Sequence, residues 1–168
     1  MEIETRIWEQ AGRFVDSANT LQEGGNLIPA CVNAALAIEL MFKSILSEKE
    51  CFDDDFARAG YPKKVGGHIL SKLFIKIKEE YRTDIKDLYH AKVGVDLTVE
   101  LEQYNNYFMA GRYFYEQGAG SLSTGVINTA IKLQEVIKLV HERYAPKVFK
   151  PSDLGLSIHF EKNDKATK

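Results

Sequence analysis

Hydrophobic residues recur along most of the chain at spacings of three and four positions. This spacing places side chains on one face of an α-helix. The pattern predicts helices over approximately residues 3–21, 26–46, 69–91, 97–115 and 124–144. We therefore expect an all-α fold, a compact bundle of four to five antiparallel helices.

Residues that start and stop helices occur between these stretches. Gly24 and Gly25 follow the first helix and should end it. Pro29 falls in the first turn of the second helix, where proline is tolerated. Asp96 is a candidate N-cap for the fourth helix. Pro146 should end the fifth.

The chain of 168 residues has the length of one domain. We expect residues 1–145 to form a single helical bundle. The tail, residues 146–168, should be partly extended or disordered, because LSIHF alternates in polarity and the last residues are polar. The connection over residues 47–67 is long, and such loops are often functional or mobile.

The second helix carries one acidic residue, Glu39, in a segment that is apolar on nearly every side. A buried carboxylate needs a partner, because an unpaired buried charge costs several kcal/mol. Lys43 lies one turn further along the helix, and Arg112 could reach the carboxylate from another helix. Two interpretations stay open: a structural ion pair of Glu39 with Lys43 or Arg112, and a functional polar cluster.

The fourth helix is rich in aromatic residues and contains FMAGRYFYEQ at positions 108–117. Its candidate binding residues are Arg112, Tyr115 and Glu116, which would join Glu39 and Lys43 in one group of polar residues. Aromatic residues with an interleaved cation can stack the bases of single-stranded nucleic acid. They are also concentrated in protein interfaces, and a core or dimer-interface role is the interpretation we prefer.

Composition and charge limit the functional classes. The formal net charge of −2 argues against strong non-specific binding to nucleic acid. The two cysteines show no metal-binding spacing, so we expect reduced thiols, no metal and no cofactor. No apolar run is as long as a membrane helix, since Pro29, Asn33 and Glu39 interrupt the longest one. We predict a cytoplasmic protein without a membrane span.

Three segments, taken in order, resemble the HEPN superfamily of small helical domains. They are NAALAIELMFKSIL at 33–46, GHILSKLF at 67–74 and FMAGRYFYEQ at 108–117. The resemblance extends over about residues 1–145. It implies a homodimeric helical bundle of the toxin–antitoxin or phage-defence type, with RNA, a nucleotide or a protein encoded by a neighbouring gene as partner.

Catalytic members of that superfamily carry an arginine followed, after four to six residues, by a histidine. Here Gln117, Gly118 and Ala119 occupy the positions where the histidine should follow Arg112. The resemblance therefore implies a non-catalytic dimeric module that binds RNA, a nucleotide or a partner protein. The alternative is a metal-independent endoribonuclease in which Arg112 acts with His68, whose imidazole can exchange a proton near neutral pH.

Overall fold

Helices make up most of the residues that the computed structural model describes, which are 1–47, 49–50, 61–62, 65–112 and 122–144. The helices are α1 (Thr5–Glu23), α2 (Leu27–Leu46), α3 (Leu70–Lys76), α4 (Glu79–Val93), α5 (Leu97–Tyr104), α6 (Tyr107–Arg112) and α7 (Gly125–Tyr144). Two short strands, β1 (Lys49–Glu50) and β2 (Tyr61–Pro62), pair antiparallel. The expected all-α class and antiparallel helix packing are thus confirmed.

Helix α2 is the centre of the bundle and packs against α1, α3, α6 and α7. Small side chains let these neighbours approach closely, and half of its positions are buried: Ala30, Cys31, Ala34, Ala35, Ala37, Ile38, Glu39, Met41, Phe42 and Ser44. By length and composition alone the helix could span a membrane, but 56% of its most apolar window is buried inside the protein. A core helix passes the same test, so the absence of a membrane span and the cytoplasmic location stay predictions.

The predicted bounds of α1, α2 and α7 agree with the structure to within a few residues. Gly24 caps the end of α1, and its N–H donates to Thr20 and Gln22 carbonyl oxygens. Asp96 is the N-cap of α5, since its side chain accepts from the Thr98 N–H, as expected.

The predicted third helix is two helices, α3 and α4, which are separated at Ile77 and Lys78. Both of these residues have extended ψ angles, so the backbone turns between them. The break frees carbonyl groups, and Arg82 binds two of them: its Nη1 donates to the Ile75 oxygen at 2.7 Å and to the Ile77 oxygen at 3.4 Å. The guanidinium group is therefore occupied in holding this turn.

The predicted fourth helix is also divided, into α5 and α6, at Asn105 and Asn106. The side chain of Asn105 bonds Ser71 of α3 twice: Oδ1 accepts from the backbone N–H at 2.9 Å, and Nδ2 donates to the hydroxyl oxygen at 2.9 Å. These bonds fix the end of α5 against the start of α3. The prediction of four to five helices was wrong, because seven lie in the described part of the chain.

A partly buried polar network connects α4, α5 and α7. Tyr89 is fully buried and its hydroxyl donates to Glu100 Oε2 at 2.5 Å. Thr129 donates to the same oxygen at 3.2 Å. Burial raises the pKa of Tyr89, and the hydrogen bond to Glu100 raises it further. The network therefore holds the phenol in its neutral form.

Candidate functional site

Three ionisable side chains meet where the start of α3 crosses α2: Glu39, Lys43 and His68, called here the polar cluster. Lys43 Nζ lies 2.7 Å from Glu39 Oε1, the pairing expected for residues one turn apart. His68 Nδ1 lies 3.0 Å from Oε1 and 3.1 Å from Oε2 of the same carboxylate. The carboxylate of Glu39 thus has two separate hydrogen-bond partners.

Burial differs sharply within the polar cluster. The exposed fraction of the side chain is 3% for Glu39, 15% for Lys43 and 62% for His68. The carboxylate is therefore at the bottom of the cluster, and the imidazole covers it while presenting most of its own surface to solvent. A ring so exposed is available to a ligand.

The position of His68 depends on the backbone before it and on the packing of the helix after it. Gly67 precedes it with φ +104°, a conformation that favours glycine. After it, α3 begins at Leu70 and packs on α2, where the Phe42 and Phe74 rings lie 5.3 Å apart. These contacts fix the distance between the histidine and α2.

Phe108 of α6 completes the site. Its ring is stacked on His68, with 5.9 Å between centroids and 16° between ring planes. We call this pair the His68–Phe108 platform. Because the stack and the bond to Glu39 both restrain the imidazole, the platform presents a flat face in a defined orientation.

Helices α2 and α6 approach closely beside the platform because Gly111 has no side chain. A methyl group at position 111 would overlap Val32 Cγ2. A cavity of about 390 Å³ lies here, lined by Ile28, Pro29, Val32, Asn33, Phe108 and Gly111. Positions 32 and 39 are two turns apart on one face of α2, so the cavity and the polar cluster lie on the same side of the helix.

The other predicted site residues fall at or beyond the edge of the described chain. Arg112 is the last residue of α6, one turn after Phe108. Its side chain lies outside the described part of the structure, as do Tyr115 and Glu116. The expected bond between Glu39 and Arg112 therefore stays a prediction.

Comparisons with known proteins give no relative from which a function could be transferred. No family model matches the chain, and no curated protein or solved structure matches it either. The resemblance to the HEPN superfamily therefore stays a proposal, and the functional argument depends on the geometry of the site.

Sequence reasoning missed two contacts of this site: the bond of His68 to Glu39 and the stack of His68 on Phe108. Both join residues that are at least 29 positions apart, so no local spacing in the sequence indicates them. One signal was available. His68 follows two glycines and precedes the apolar residues of α3, which places a polar ring at the edge of a buried helix.

Other reactive residue types lie in less suitable surroundings. Cys31 is buried, and burial raises the pKa of its thiol, which donates to the Ser123 carbonyl oxygen at 3.6 Å. His90 is exposed on α4. His141 Nδ1 lies 2.8 Å from the Met1 carbonyl oxygen and is bound to the backbone.

A larger cavity, of about 860 Å³, lies away from the polar cluster. Its ionisable lining residues carry both signs of charge and include Glu2, Glu4, Lys76, Lys78 and His141. Glu4 is bound to Arg6, through the backbone N–H at 3.4 Å and through Nε at 3.4 Å. Size alone does not make a site, and the polar cluster with its platform has the more specific arrangement of groups.

Proposed function

We propose that this protein is a HEPN-like, homodimeric helical module that binds single-stranded RNA or a nucleotide at the His68–Phe108 platform. The observation that carries the proposal is the exposed, oriented imidazole stacked on Phe108 and bonded to the buried carboxylate of Glu39. Aromatic faces of this kind stack bases, at about 1–3 kcal/mol per base.

The charges around the platform suit a phosphate group. Lys43 and the carboxylate of Glu39 balance each other at 2.7 Å, which removes the repulsion that an unpaired carboxylate would exert on an anion. We propose Arg112, one turn after Phe108 on α6, as the cation that would contact this phosphate. A protein with a net charge of −2 is better suited to bind RNA at one local site than to bind non-specifically along the whole phosphate backbone.

Binding can be measured by fluorescence anisotropy with labelled single-stranded RNA of roughly ten nucleotides. Replacing Phe108 or His68 with alanine should weaken binding by about 5- to 150-fold, the loss of one stacked base. His90→Ala is the matched control, since His90 is exposed on α4 outside the platform. Wild-type protein that binds no RNA or nucleotide, or equal affinities for wild type and His68→Ala, would contradict the proposal.

A second candidate function is metal-independent cleavage of RNA by His68 and Arg112. The contact between His68 and Phe108 favours it, because Arg112 follows Phe108 by one turn of α6. Cleavage in the presence of EDTA, lost in both His68→Ala and Arg112→Ala, would support this function. Retained binding without cleavage would leave the binding module as the better description.

A further inference from the structure

The two nitrogens of the His68 ring have different surroundings. Nδ1 is 3.0 Å and 3.1 Å from the two oxygens of Glu39, while the side chain as a whole is 62% exposed. The ammonium group of Lys43 pairs with the same carboxylate, with Nζ 2.7 Å from Oε1. An ionised carboxylate only accepts hydrogen bonds, so the hydrogen between the two groups belongs to Nδ1.

We infer that Glu39 is a positioning residue that holds neutral His68 in the tautomer with hydrogen on Nδ1. The lone pair of the neutral ring is then on Nε2, away from Glu39. A bond at one ring nitrogen sets the role of the other. Lys43 balances the charge of Glu39, and Phe108 lies against one face of the imidazole, with 5.9 Å between the ring centroids.

The tautomer also determines which ligand group the ring prefers, and this part of the inference rests on the proposed function. A neutral Nε2 accepts a hydrogen bond and therefore suits a ligand group that donates one. The ribose 2′-hydroxyl is such a donor, and DNA lacks it. Glu39 thereby makes the platform prefer RNA over DNA of the same sequence, although Glu39 itself is buried beneath the ring.

The tautomer can be read directly by NMR. Protein labelled with ¹⁵N in histidine gives distinct ring-nitrogen shifts for the two tautomers, and His68→Gln assigns the His68 signals by their loss. At a pH where the ring is neutral, we expect hydrogen on Nδ1 in the wild type. In Glu39→Ala we expect a shift towards hydrogen on Nε2, and no shift in the control Glu135→Ala, whose carboxylate is exposed.

The wild-type measurement needs no substitution, so it decides the inference even if Glu39→Ala does not fold. Hydrogen on Nε2 of wild-type His68 would overturn the inference. A folded Glu39→Ala variant with an unchanged tautomer would overturn it as well.

The binding readout separates this inference from the proposed function. Glu39→Ala should reduce the ratio of RNA affinity to DNA affinity by roughly 2- to 10-fold, the worth of one hydrogen bond, with little change in DNA affinity. If hydrogen is on Nδ1 but no RNA binds, the proposed function is wrong and the positioning role stands. If RNA binds but hydrogen is on Nε2, the proposed function stands and the positioning role is wrong.

Discussion

At the scale of single residues, Glu39 is the most unusual side chain of the described structure. The residue as a whole is 2% exposed within the most apolar helix, and Lys43 and His68 are its partners. A buried ion pair adds little net stability, but the removal of one partner leaves an uncompensated buried charge. The two partners are therefore expected to differ in what their loss costs, because only Lys43 carries a permanent charge.

We expect Lys43→Met to lower the free energy of unfolding by about 3 kcal/mol, because Glu39 then lacks its cation. Lys132→Met is the matched control. Lys132 binds Glu135 at 3.1 Å, but the two side chains are 38% and 42% exposed. The free energy of unfolding of Lys132→Met should therefore fall by less than about 0.5 kcal/mol. Urea denaturation followed by circular dichroism gives both values. Similar small losses in the two variants would show that solvent reaches Glu39.

Tyr89 should make stability depend on alkaline pH. Its pKa is raised in the folded protein by burial, so unfolding releases its proton above about pH 10, the ordinary pKa of tyrosine. Its contribution to stability is complete below that pH. The free energy of unfolding should then fall by up to about 1.4 kcal/mol per pH unit as pH rises from there towards the folded pKa.

Tyr89→Phe isolates this contribution. The variant should lose about 1 kcal/mol near neutral pH, because the hydrogen bond to Glu100 is gone. Above about pH 10 its stability should fall less steeply than that of the wild type. Denaturation curves measured across this range test both effects, and parallel pH profiles for the two proteins would refute the assignment.

At the scale of helices, the contact between α2 and α6 is set by one missing side chain. Gly111→Ala should cost about 1–3 kcal/mol, because the added methyl group overlaps Val32 and forces the helices apart. In a Val32→Ala background the same change should be neutral or stabilising, since alanine favours a helix by about 1 kcal/mol over glycine. A double-mutant cycle by thermal denaturation tests this. Equal effects of Gly111→Ala in both backgrounds would contradict the close approach.

The long periodic helices could be predicted from sequence, but the breaks within two of them could not. Ile77 and Tyr104 continue the apolar stripes of the predicted third and fourth helices, and both are buried as those stripes predict. Side-chain hydrogen bonds stabilise each break: Arg82 binds carbonyl oxygens five and seven residues earlier, whereas Asn105 binds Ser71, 34 residues earlier. The spacing of apolar residues contains no signal of these polar partners.

The same limit applies to the site. The pairing of Glu39 with Lys43 follows from their spacing of four along one helix, and sequence reasoning found it. The bond from His68 to Glu39 depends instead on where α3 begins and how it packs on α2. Sequence thus supplied the residues of the polar cluster, while their arrangement required the fold.

At the scale of the whole molecule, α2 is the helix on which four of the other described helices pack. It contacts α1, α3, α6 and α7, and its central residues are buried. Amides that are surrounded on all sides exchange hydrogen only when the domain unfolds as a whole, while short exposed elements open locally.

Hydrogen exchange measured by mass spectrometry should therefore be slowest in peptides covering residues 34–42. It should be much faster in α6, which has six residues. Denaturant dependence distinguishes the two kinds of opening, since exchange of α2 should follow global unfolding. Exchange of α2 at the rate of α6 would contradict the central position of α2.

The alanines of α2 also explain why a polar residue is useful in its core. Ala30, Ala34, Ala35 and Ala37 present only short side chains to the neighbouring helices, so they interlock with them less than larger side chains would. Glu39 fixes the register between α2 and α3, because a shift by one turn would carry its carboxylate away from His68, which lies just before α3. The bond between His68 and Glu39 thus favours one register of α3 on α2, a role that buried polar residues have in coiled coils.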